Sequence, residues 1–165
     1  MKVAIFFGSK SDTETMKKAA DVLKEFEIEY KAFILSAHRA GELLHETVKQ
    51  IEKEGFEVII AGAGLAAALP GVIAGATTLP VIGVPLECVT PGKSNGLGGM
   101  DALLSIVQMP PQIPVATVGI NSSKNAAYLA AQILSIKYPE LKEKLVAFRK
   151  KLADDAKATG LNVEL

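Results

Sequence analysis

The segment Ser36-Ala-His-Arg39 carries the residues best suited to chemistry, a histidine beside an arginine at the end of an apolar run. The imidazole of His38 suits proton transfer near neutral pH, because it can both accept and donate a proton there. The guanidinium of Arg39 offers a planar fork for a phosphate or carboxylate group. The same pattern also fits a histidine that caps a helix, so the segment alone leaves both interpretations open.

A second candidate segment, Gly8-Ser-Lys-Ser-Asp12, follows an apolar run and is rich in small hydroxyl residues. Unpaired amides at the start of a helix bind anions, so this segment, with the hydroxyls of Ser9 and Ser11, is predicted to form a phosphate-binding site. The carboxylate of Asp12 suits a ribose hydroxyl. The alternative is an ordinary helix N-cap, which uses the same residue types.

The neutral segment Gly62-Ala-Gly-Leu-Ala-Ala67 resembles the Gly-x-Gly-x-x-Ala fingerprint of dinucleotide-binding turns, and Glu87 lies about where a ribose-binding acid would. Its central position weakens this interpretation, because the fingerprint normally occupies the first turn between a strand and a helix. Glycine here also permits close packing of a helix on a strand. A nucleotide- or dinucleotide-binding module without catalysis therefore stays open. Cys88 is interpreted as a small packing residue.

No metal site is expected from the sequence. His45 lies seven residues beyond His38, which is two helical turns and about 10 Å, too far for both imidazoles to ligate one ion. The chain has one cysteine to add to these two histidines. We expect His45 to be a surface residue.

Hydrophobic periodicity predicts strands that alternate with helices along the chain. Nearly continuous apolar runs are typical of strands buried on both faces. A capping box, Ser11-Asp-Thr-Glu14, predicts a helix start. The predicted strands are 3–7, 29–35, 57–61, 80–84 and 114–118. The predicted helices are one that starts at 11, one that carries Leu44, Val48 and Ile51, and others at 66–76, 102–107, 125–136 and 141–152.

Residues 58–86 contain no charged side chain, and a run of this length is nominally enough to cross a bilayer. Glycines and prolines interrupt it, namely Gly62, Gly64, Pro70, Gly71, Gly75 and Pro80. The run therefore divides better into a strand, a buried helix and another strand, and we expect no membrane span.

Alternating strands and helices predict a parallel sheet with helices on both faces. We expect a single domain over residues 1–165, in which 140–165 form a C-terminal helix and tail. Ligands of such sheets bind beyond the carboxyl ends of the strands. The segments that follow predicted strands are 8–12, 36–39, 62–71 and the glycine-rich loop 85–99. These four segments should meet at one edge of the sheet.

Composition restricts the possible partners. Eighteen basic and eighteen acidic residues cancel, so no net field favours nucleic acid or an anionic membrane. One cysteine and no recognisable secretory leader predict a cytoplasmic protein.

Charged residues make up 22% and aromatic residues 5% of the chain. This apolar, alanine- and glycine-rich composition favours burial of outer surface between copies of the chain, in a homo-oligomer.

Taken in order, several motifs between residues 3 and 134 resemble the N5-carboxyaminoimidazole ribonucleotide mutase family, which includes phosphoribosylaminoimidazole carboxylase catalytic subunits. The resemblance implies a flavodoxin-like three-layer α/β/α domain, an octamer with sites between subunits, and no organic cofactor or metal. The motifs are Gly8-Ser-Lys-Ser-Asp12, Ser36-Ala-His-Arg39, Ala61-Gly-Ala-Gly64, Leu69-Pro-Gly71, Pro80-Val-Ile-Gly-Val-Pro85, Ser105-Ile-Val-Gln-Met-Pro110, Lys124-Asn-Ala-Ala127 and Ala130-Ala-Gln-Ile-Leu134.

The resemblance also implies an activity and residue roles. The activity is a step of purine biosynthesis that moves a carboxyl group from the exocyclic nitrogen to C4 of aminoimidazole ribonucleotide, with His38 as general acid/base. Arg39 would bind the phosphate, and the 62–69 segment would form the floor under the imidazole and carboxyl groups. The residues implied to bind substrate are Ser9, Ser11, Asp12, Ser36, Arg39, Gly62, Ala63, Gly64 and Leu69.

Three departures from the mutase pattern stand out. Ala68 replaces a usual histidine, Leu65 replaces a usual glycine, and the loop 86–99 is longer than usual. The related carboxylases, which add CO2 directly to aminoimidazole ribonucleotide, lack that histidine too. They typically show Ser-Ala-His-Lys and an arginine-serine segment after the third strand, and this chain shows neither. The pattern favours the mutase, with direct carboxylation as the alternative. Lys93, in the longer loop, is a candidate to supply a charge lost elsewhere.

Overall fold

The computed structural model describes residues 1–90 and 93–160, so Pro91, Gly92 and the end of the predicted C-terminal tail lie outside the described residues. The strands are β1 (Lys2–Phe7), β2 (Glu29–Ile34), β3 (Val58–Gly64), β4 (Val81–Leu86), β5 (Cys88–Thr90), β6 (Lys93–Asn95) and β7 (Ala116–Thr117). The helices are α1 (Thr13–Glu25), α2 (Gly41–Lys53), α3 (Leu69–Ala74), α4 (Met100–Val107), α5 (Ser123–Leu134) and α6 (Pro139–Gly160). Strands and helices alternate from β1 to β4, as predicted, whereas β4, β5 and β6 follow one another directly, as do α5 and α6.

Five strands form one parallel sheet in the order β2-β1-β3-β4-β7. Hydrophobic clusters cover both faces. Val3 and Ile5 of β1 pack with α1, α5 and α6, whereas Ala4 and Phe6 pack with α2, α3 and α4. Burial of both faces explains why the strand sequences are continuously apolar rather than alternating. The predicted three-layer, flavodoxin-like fold is confirmed.

The sheet order reverses between β1 and β3, because the chain first builds outward from β1 to β2 and then returns to the other side of β1. At such a point the connections leave the sheet in opposite directions and open a crevice beyond the carboxyl ends of the strands. The fold therefore places a cleft between the segments that follow these two strands.

Several predicted boundaries are wrong. β3 was expected to end at Ala61 but continues through Gly64, because its glycines pair with β4 in the register Gly62↔Val84 and Gly64↔Leu86. The helix predicted at 66–76 is only the short α3, Leu69–Ala74. The glycine-rich loop contains an antiparallel hairpin of β5 and β6. β7 keeps two residues of the predicted five, Ala116 and Thr117.

The uncharged stretch from residue 58 to 86 folds as β3, α3 and β4, which lie within the sheet and its cover. Among residues 1–90 and 93–160, no helix combines the length and apolar character that a membrane span requires.

Candidate active site

The segments that follow β1, β2, β3 and β4 surround one cavity of about 290 Å³. This is the convergence expected from a parallel sheet, whose strands all end at the same edge. All of the residues proposed from the sequence line the cavity except Gly62; they are Ser9, Ser11, Asp12, Ser36, His38, Arg39, Ala63, Gly64 and Leu69.

The turn after β1 is built by local hydrogen bonds. Ser9 caps a short 3-10 turn, Lys10–Asp12, and its hydroxyl accepts from the Ser11 amide at 3.4 Å. The Ser11 hydroxyl lies 3.0 Å from the Ser9 hydroxyl and 3.2 Å from a carboxylate oxygen of Asp12. α1 begins only at Thr13, so the predicted capping box at Ser11 is wrong: the serines fold against each other and the aspartate instead of capping α1.

Asp12 stands half-buried in the cavity wall. Burial raises the pKa of its carboxyl group, while hydrogen bonds from the Ser11 hydroxyl and the Ser9 backbone amide act in the opposite direction and offset only part of the rise. The ionised carboxylate is less stable in this position than it would be in water, because burial removes part of its hydration. Hydrogen-bond donors on a ligand, such as hydroxyl groups, would relieve that cost.

The turn after β2 holds the histidine and the arginine. It closes through hydrogen bonds from the Arg39 and Ala40 amides to the Ser36 carbonyl, at 3.2 and 2.9 Å. The guanidinium of Arg39 donates to the Gly8 carbonyl at 3.2 Å and so connects this turn to the one after β1. His38 is exposed at the rim of the cavity. Among the described lining residues, Arg39 is the only lysine or arginine.

The glycines of β3 are required by close packing. A side chain at Gly62 would meet Met16 Sδ at 2.5 Å and Leu86 at 3.1 Å, and one at Gly64 would meet the Leu86 carbonyl oxygen at 3.0 Å. Gly64 lines the cavity, whereas Gly62 is not among the lining residues, and its place in the floor stays a prediction.

The dinucleotide interpretation loses its structural basis at the same place. Gly62 and Gly64 sit inside β3, and α3 begins only at Leu69. In the fingerprint, the glycines form the turn itself and the helix follows at once, so that the helix N-terminus faces the pyrophosphate. Here the glycines serve strand packing.

Sequence reasoning missed several lining residues, including Leu65, Ala66 and Cys88. Cys88 was set aside as a packing residue, yet its Cβ lies 3.6 Å from where a side chain on Gly64 would begin. The signal that could have found it is the strand register, because Gly64 pairs with Leu86 and Cys88 follows two residues later.

The remaining residues singled out from the sequence lie elsewhere. The ring nitrogen Nδ1 of His45 is 2.7 Å from the Gly41 carbonyl, one turn back along α2, and the side chain is exposed, away from the cavity. Lys93 is on β6 and is not among the cavity residues. Within residues 1–90 and 93–160, no group of three histidine, cysteine or acidic side chains is arranged to hold a metal ion.

A parallel sheet in this order, with a small cavity lined by both polar and apolar residues beyond its carboxyl edge, defines a flavodoxin-like α/β protein with a site for a small molecule. The chain belongs to the AIR carboxylase family, whose family model matches residues 2–155.

Relatives cover nearly the whole chain. The N5-carboxyaminoimidazole ribonucleotide mutase of Pyrococcus abyssi is 60% identical over 148 residues, 90% of this chain and 82% of that protein. The protein of the same name from Saccharolobus solfataricus is 52% identical over 160 residues, 97% and 98% of the two chains. The crystal structure of Treponema denticola PurE superposes with a TM-score of 0.78 at 30% identity, covering 97% of this chain and 99% of that one.

Proposed function

We propose that the protein is an N5-carboxyaminoimidazole ribonucleotide mutase of purine nucleotide biosynthesis. The observation that carries the proposal is the cavity itself: the His38–Arg39 turn meets the Ser9–Asp12 turn above a floor of glycine and alanine. The relatives that carry this name, at 52–60% identity, support the same assignment.

The polar turns suit the ribose 5-phosphate part of the substrate. Arg39 supplies a permanent positive charge and hydrogen-bond donors that match phosphate oxygens. The hydroxyls of Ser9 and Ser11 lie within 3.0 Å of each other and add neutral donors beside it. Asp12 accepts hydrogen bonds from the ribose hydroxyls, which relieves its half-buried charge.

His38 carries the proton that the reaction needs. The bond between the exocyclic nitrogen and the carboxyl carbon breaks, CO2 leaves, and the nitrogen keeps the electron pair and takes a proton from the imidazolium. C4 of the electron-rich ring then attacks CO2, and the new carbon–carbon bond forms. The neutral imidazole removes the C4 proton, so one histidine serves both steps and ends as it began. Ser36 shapes the turn that holds this ring.

The floor suits a reaction that forms free CO2 as an intermediate. Ala63, Gly64 and Leu69 place apolar surface and a flat backbone beneath the site of carboxyl transfer. Such a surface excludes water from the small molecule and keeps it near the ring.

The test supplies purified protein with N5-carboxyaminoimidazole ribonucleotide, or with aminoimidazole ribonucleotide and bicarbonate, and follows the 4-carboxy product. We expect fast product formation from the first substrate and slow formation from the second. The description of the matching family, AIR carboxylase, favours direct carboxylation as a second candidate, and faster reaction with aminoimidazole ribonucleotide and bicarbonate would establish it instead.

A binding module without catalysis is the candidate from another class. It predicts calorimetric binding of NAD that weakens in the Gly64→Val variant. We expect no NAD binding by the wild-type protein, because the glycines that resemble a fingerprint are packed inside β3.

We also propose a homo-octamer in the cytoplasm, with a neighbouring subunit completing each site. The exposed face of α4 supports self-association: Met100, Leu104 and Val107 are 47%, 50% and 50% exposed, and their spacing places them on one stripe of the helix. Light scattering should give eight times the 17.4 kDa chain mass. Leu104→Glu should lower that mass, and a fully active wild-type monomer would contradict the proposal.

A further inference from the structure

Leu65 has an unusual backbone at the edge of the cavity. It is the first residue after β3 and adopts a positive φ of 54°, a left-handed conformation that leucine rarely takes. Two tight turns follow, in which the Ala67 amide donates to the Leu65 carbonyl at 2.8 Å and the Ala68 amide donates to the Ala66 carbonyl at 2.7 Å. Leu65 therefore has a backbone conformation of higher energy than glycine would have at the same position.

The Leu65 side chain bridges two parts of the cavity wall. It lines the cavity beside Gly64 and is 43% exposed. Its Cδ2 atom also lies against the loop after β6, so close that a side chain on Gly96 would start 2.9 Å away. The next three lining residues, Ala66, Ala67 and Ala68, are small, so Leu65 supplies the bulk between Gly64 and Leu69.

The loop that Leu65 contacts is fixed to the rest of the fold. The Leu97 amide donates to a carboxylate oxygen of Asp101 at the start of α4, at 3.4 Å. On β6 itself, the Ser94 hydroxyl donates to a carboxylate oxygen of Glu87 at 2.9 Å, and the Glu87 amide donates in turn to the side-chain oxygen of Asn121 at 3.0 Å. Leu65 therefore rests against an anchored surface, which makes the wall continuous from the floor to the loop.

We infer that Leu65 is a specificity-determining residue that retains CO2 between its release from nitrogen and its capture by C4. The inference rests on the proposed function and concerns one side of the same cavity. CO2 is small and apolar, so an apolar side chain across the mouth hinders both its exit and the entry of water. This benefit to the reaction accounts for a leucine held in a strained conformation.

The experiment measures exchange of the intermediate with solvent. Unlabelled N5-carboxyaminoimidazole ribonucleotide is converted in buffer that contains carbon-13 bicarbonate and carbonic anhydrase, and the labelled fraction of the 4-carboxy product is measured by mass spectrometry. The wild-type protein should give product with little label. Leu65→Ala and Leu65→Gly should each raise the labelled fraction several-fold and release aminoimidazole ribonucleotide.

Two variants serve as controls. Leu65→Met keeps the apolar bulk and should match the wild-type labelled fraction. Leu152→Ala removes an exposed leucine from α6, far along the chain from the cavity residues, and should also match it. If Leu65→Ala does not fold, Leu65→Gly decides alone, since glycine suits the left-handed backbone.

Unchanged label in Leu65→Gly would overturn the inference, as would a labelled fraction that is already complete in the wild-type protein. A rise in Leu65→Ala without one in Leu65→Gly would also overturn it, because the cause would then be the backbone and not the missing bulk. If the wild-type protein forms no 4-carboxy product from this substrate, the proposed function itself fails and the inference fails with it. That result differs from the others because the wild-type protein then makes no 4-carboxy product in which label could be measured.

Discussion

At the carboxyl end of the sheet, Asp12 is a half-buried carboxylate whose pKa is raised mainly by burial. At the amino end, Glu57 precedes β3 and is surrounded by partners. Burial acts to raise its pKa too, but hydrogen bonds from Lys137 and Tyr138 and the charges of Lys137 and the N-terminus together lower it. The Lys137 ammonium lies 2.6 Å from Glu57, and the Tyr138 hydroxyl lies 3.0 Å from both carboxylate oxygens.

The two ends therefore use similar groups for different purposes. Polar groups at the amino end satisfy one another and connect β3 to the start of α6. Those at the carboxyl end are arranged around a cavity, where the proposed substrate would complete their interactions. Ionisable groups with pKa values shifted by burial are found preferentially at such functional sites.

The largest expected effect is the loss of turnover when His38 is replaced, with His45 as the control. His38→Asn should lower kcat at least about a hundredfold, because the acid/base group is lost, while the melting temperature stays near that of the wild type. His45→Asn, on the exposed face of α2, is the matched control and should keep full turnover. Steady-state assays and thermal unfolding of both variants check this, and normal turnover in His38→Asn would remove that residue from its role.

Arg39→Lys tests the phosphate anchor. Lysine keeps the charge but loses the planar fork, so kcat/KM should fall by about tenfold to a hundredfold, chiefly through a higher KM. Arg149→Lys makes the same chemical change on exposed α6 and should leave both constants unchanged. Equal behaviour of the two variants would show that Arg39 does not contact the substrate.

Gly64→Ala tests the packing that shapes the floor. The added methyl group meets the Leu86 backbone oxygen at 3.0 Å, which cannot rotate away, so stability should fall by about 1–3 kcal/mol and turnover should fall with it. At Gly41, the first residue of α2, a methyl group has open space. Urea unfolding should show no loss of stability in Gly41→Ala. A Gly64→Ala variant as stable as the wild type would mean that β3 and β4 can move apart at no cost.

The smallest expected effects are the changes in stability when the carboxylates at the two ends of the sheet, Asp12 and Glu57, are neutralised by substitution. Asp12 has a folded pKa above its ordinary value of 3.8, so its ionisation costs stability above that pH and nothing well below it. Asp12→Asn should therefore stabilise the protein at neutral pH, by less than about 1 kcal/mol because solvent screens a half-buried group. Affinity for the substrate should fall in the same variant.

Ionisation of Glu57 has the opposite effect on stability from ionisation of Asp12. Its folded pKa lies below its ordinary value of 4.5, so its ionised form stabilises the fold above that pH and the contribution is lost as the pH falls through the folded pKa. Glu57→Gln should destabilise the protein by about 1 kcal/mol at neutral pH. Urea unfolding of Asp12→Asn and Glu57→Gln from acid to neutral pH measures both changes in stability. Changes of the same sign at neutral pH would contradict the difference between the two ends of the sheet.

The sequence allowed the layout to be predicted wherever a pattern is local. β1 and the buried face of α2 follow directly from apolar spacing, and the convergence of the turns after β1 and β2 follows from the rule for parallel sheets. The extent of β3 could not be predicted in the same way, because Gly62 and Gly64 indicate a turn until β4 pairs beside them.

Contacts between distant segments were the other limit. Cys88 reaches the cavity because of strand register, and Leu65 reaches Gly96 because a short hairpin turns the loop back. Neither depends on local residue preference, and the left-handed backbone of Leu65 goes against it. The roles assigned to His38 and the serines rest on their residue types together with the family resemblance, because the residue types alone also fit helix caps.

A crystal structure with 4-carboxyaminoimidazole ribonucleotide bound tests the central claim most directly. We predict the phosphate within hydrogen-bond distance of Arg39 and the serine turn, and the His38 imidazole within hydrogen-bond distance of the carboxyl group or next to C4. A ligand bound elsewhere, or one in this cavity with His38 directed away from the ring in the whole assembly, would contradict it.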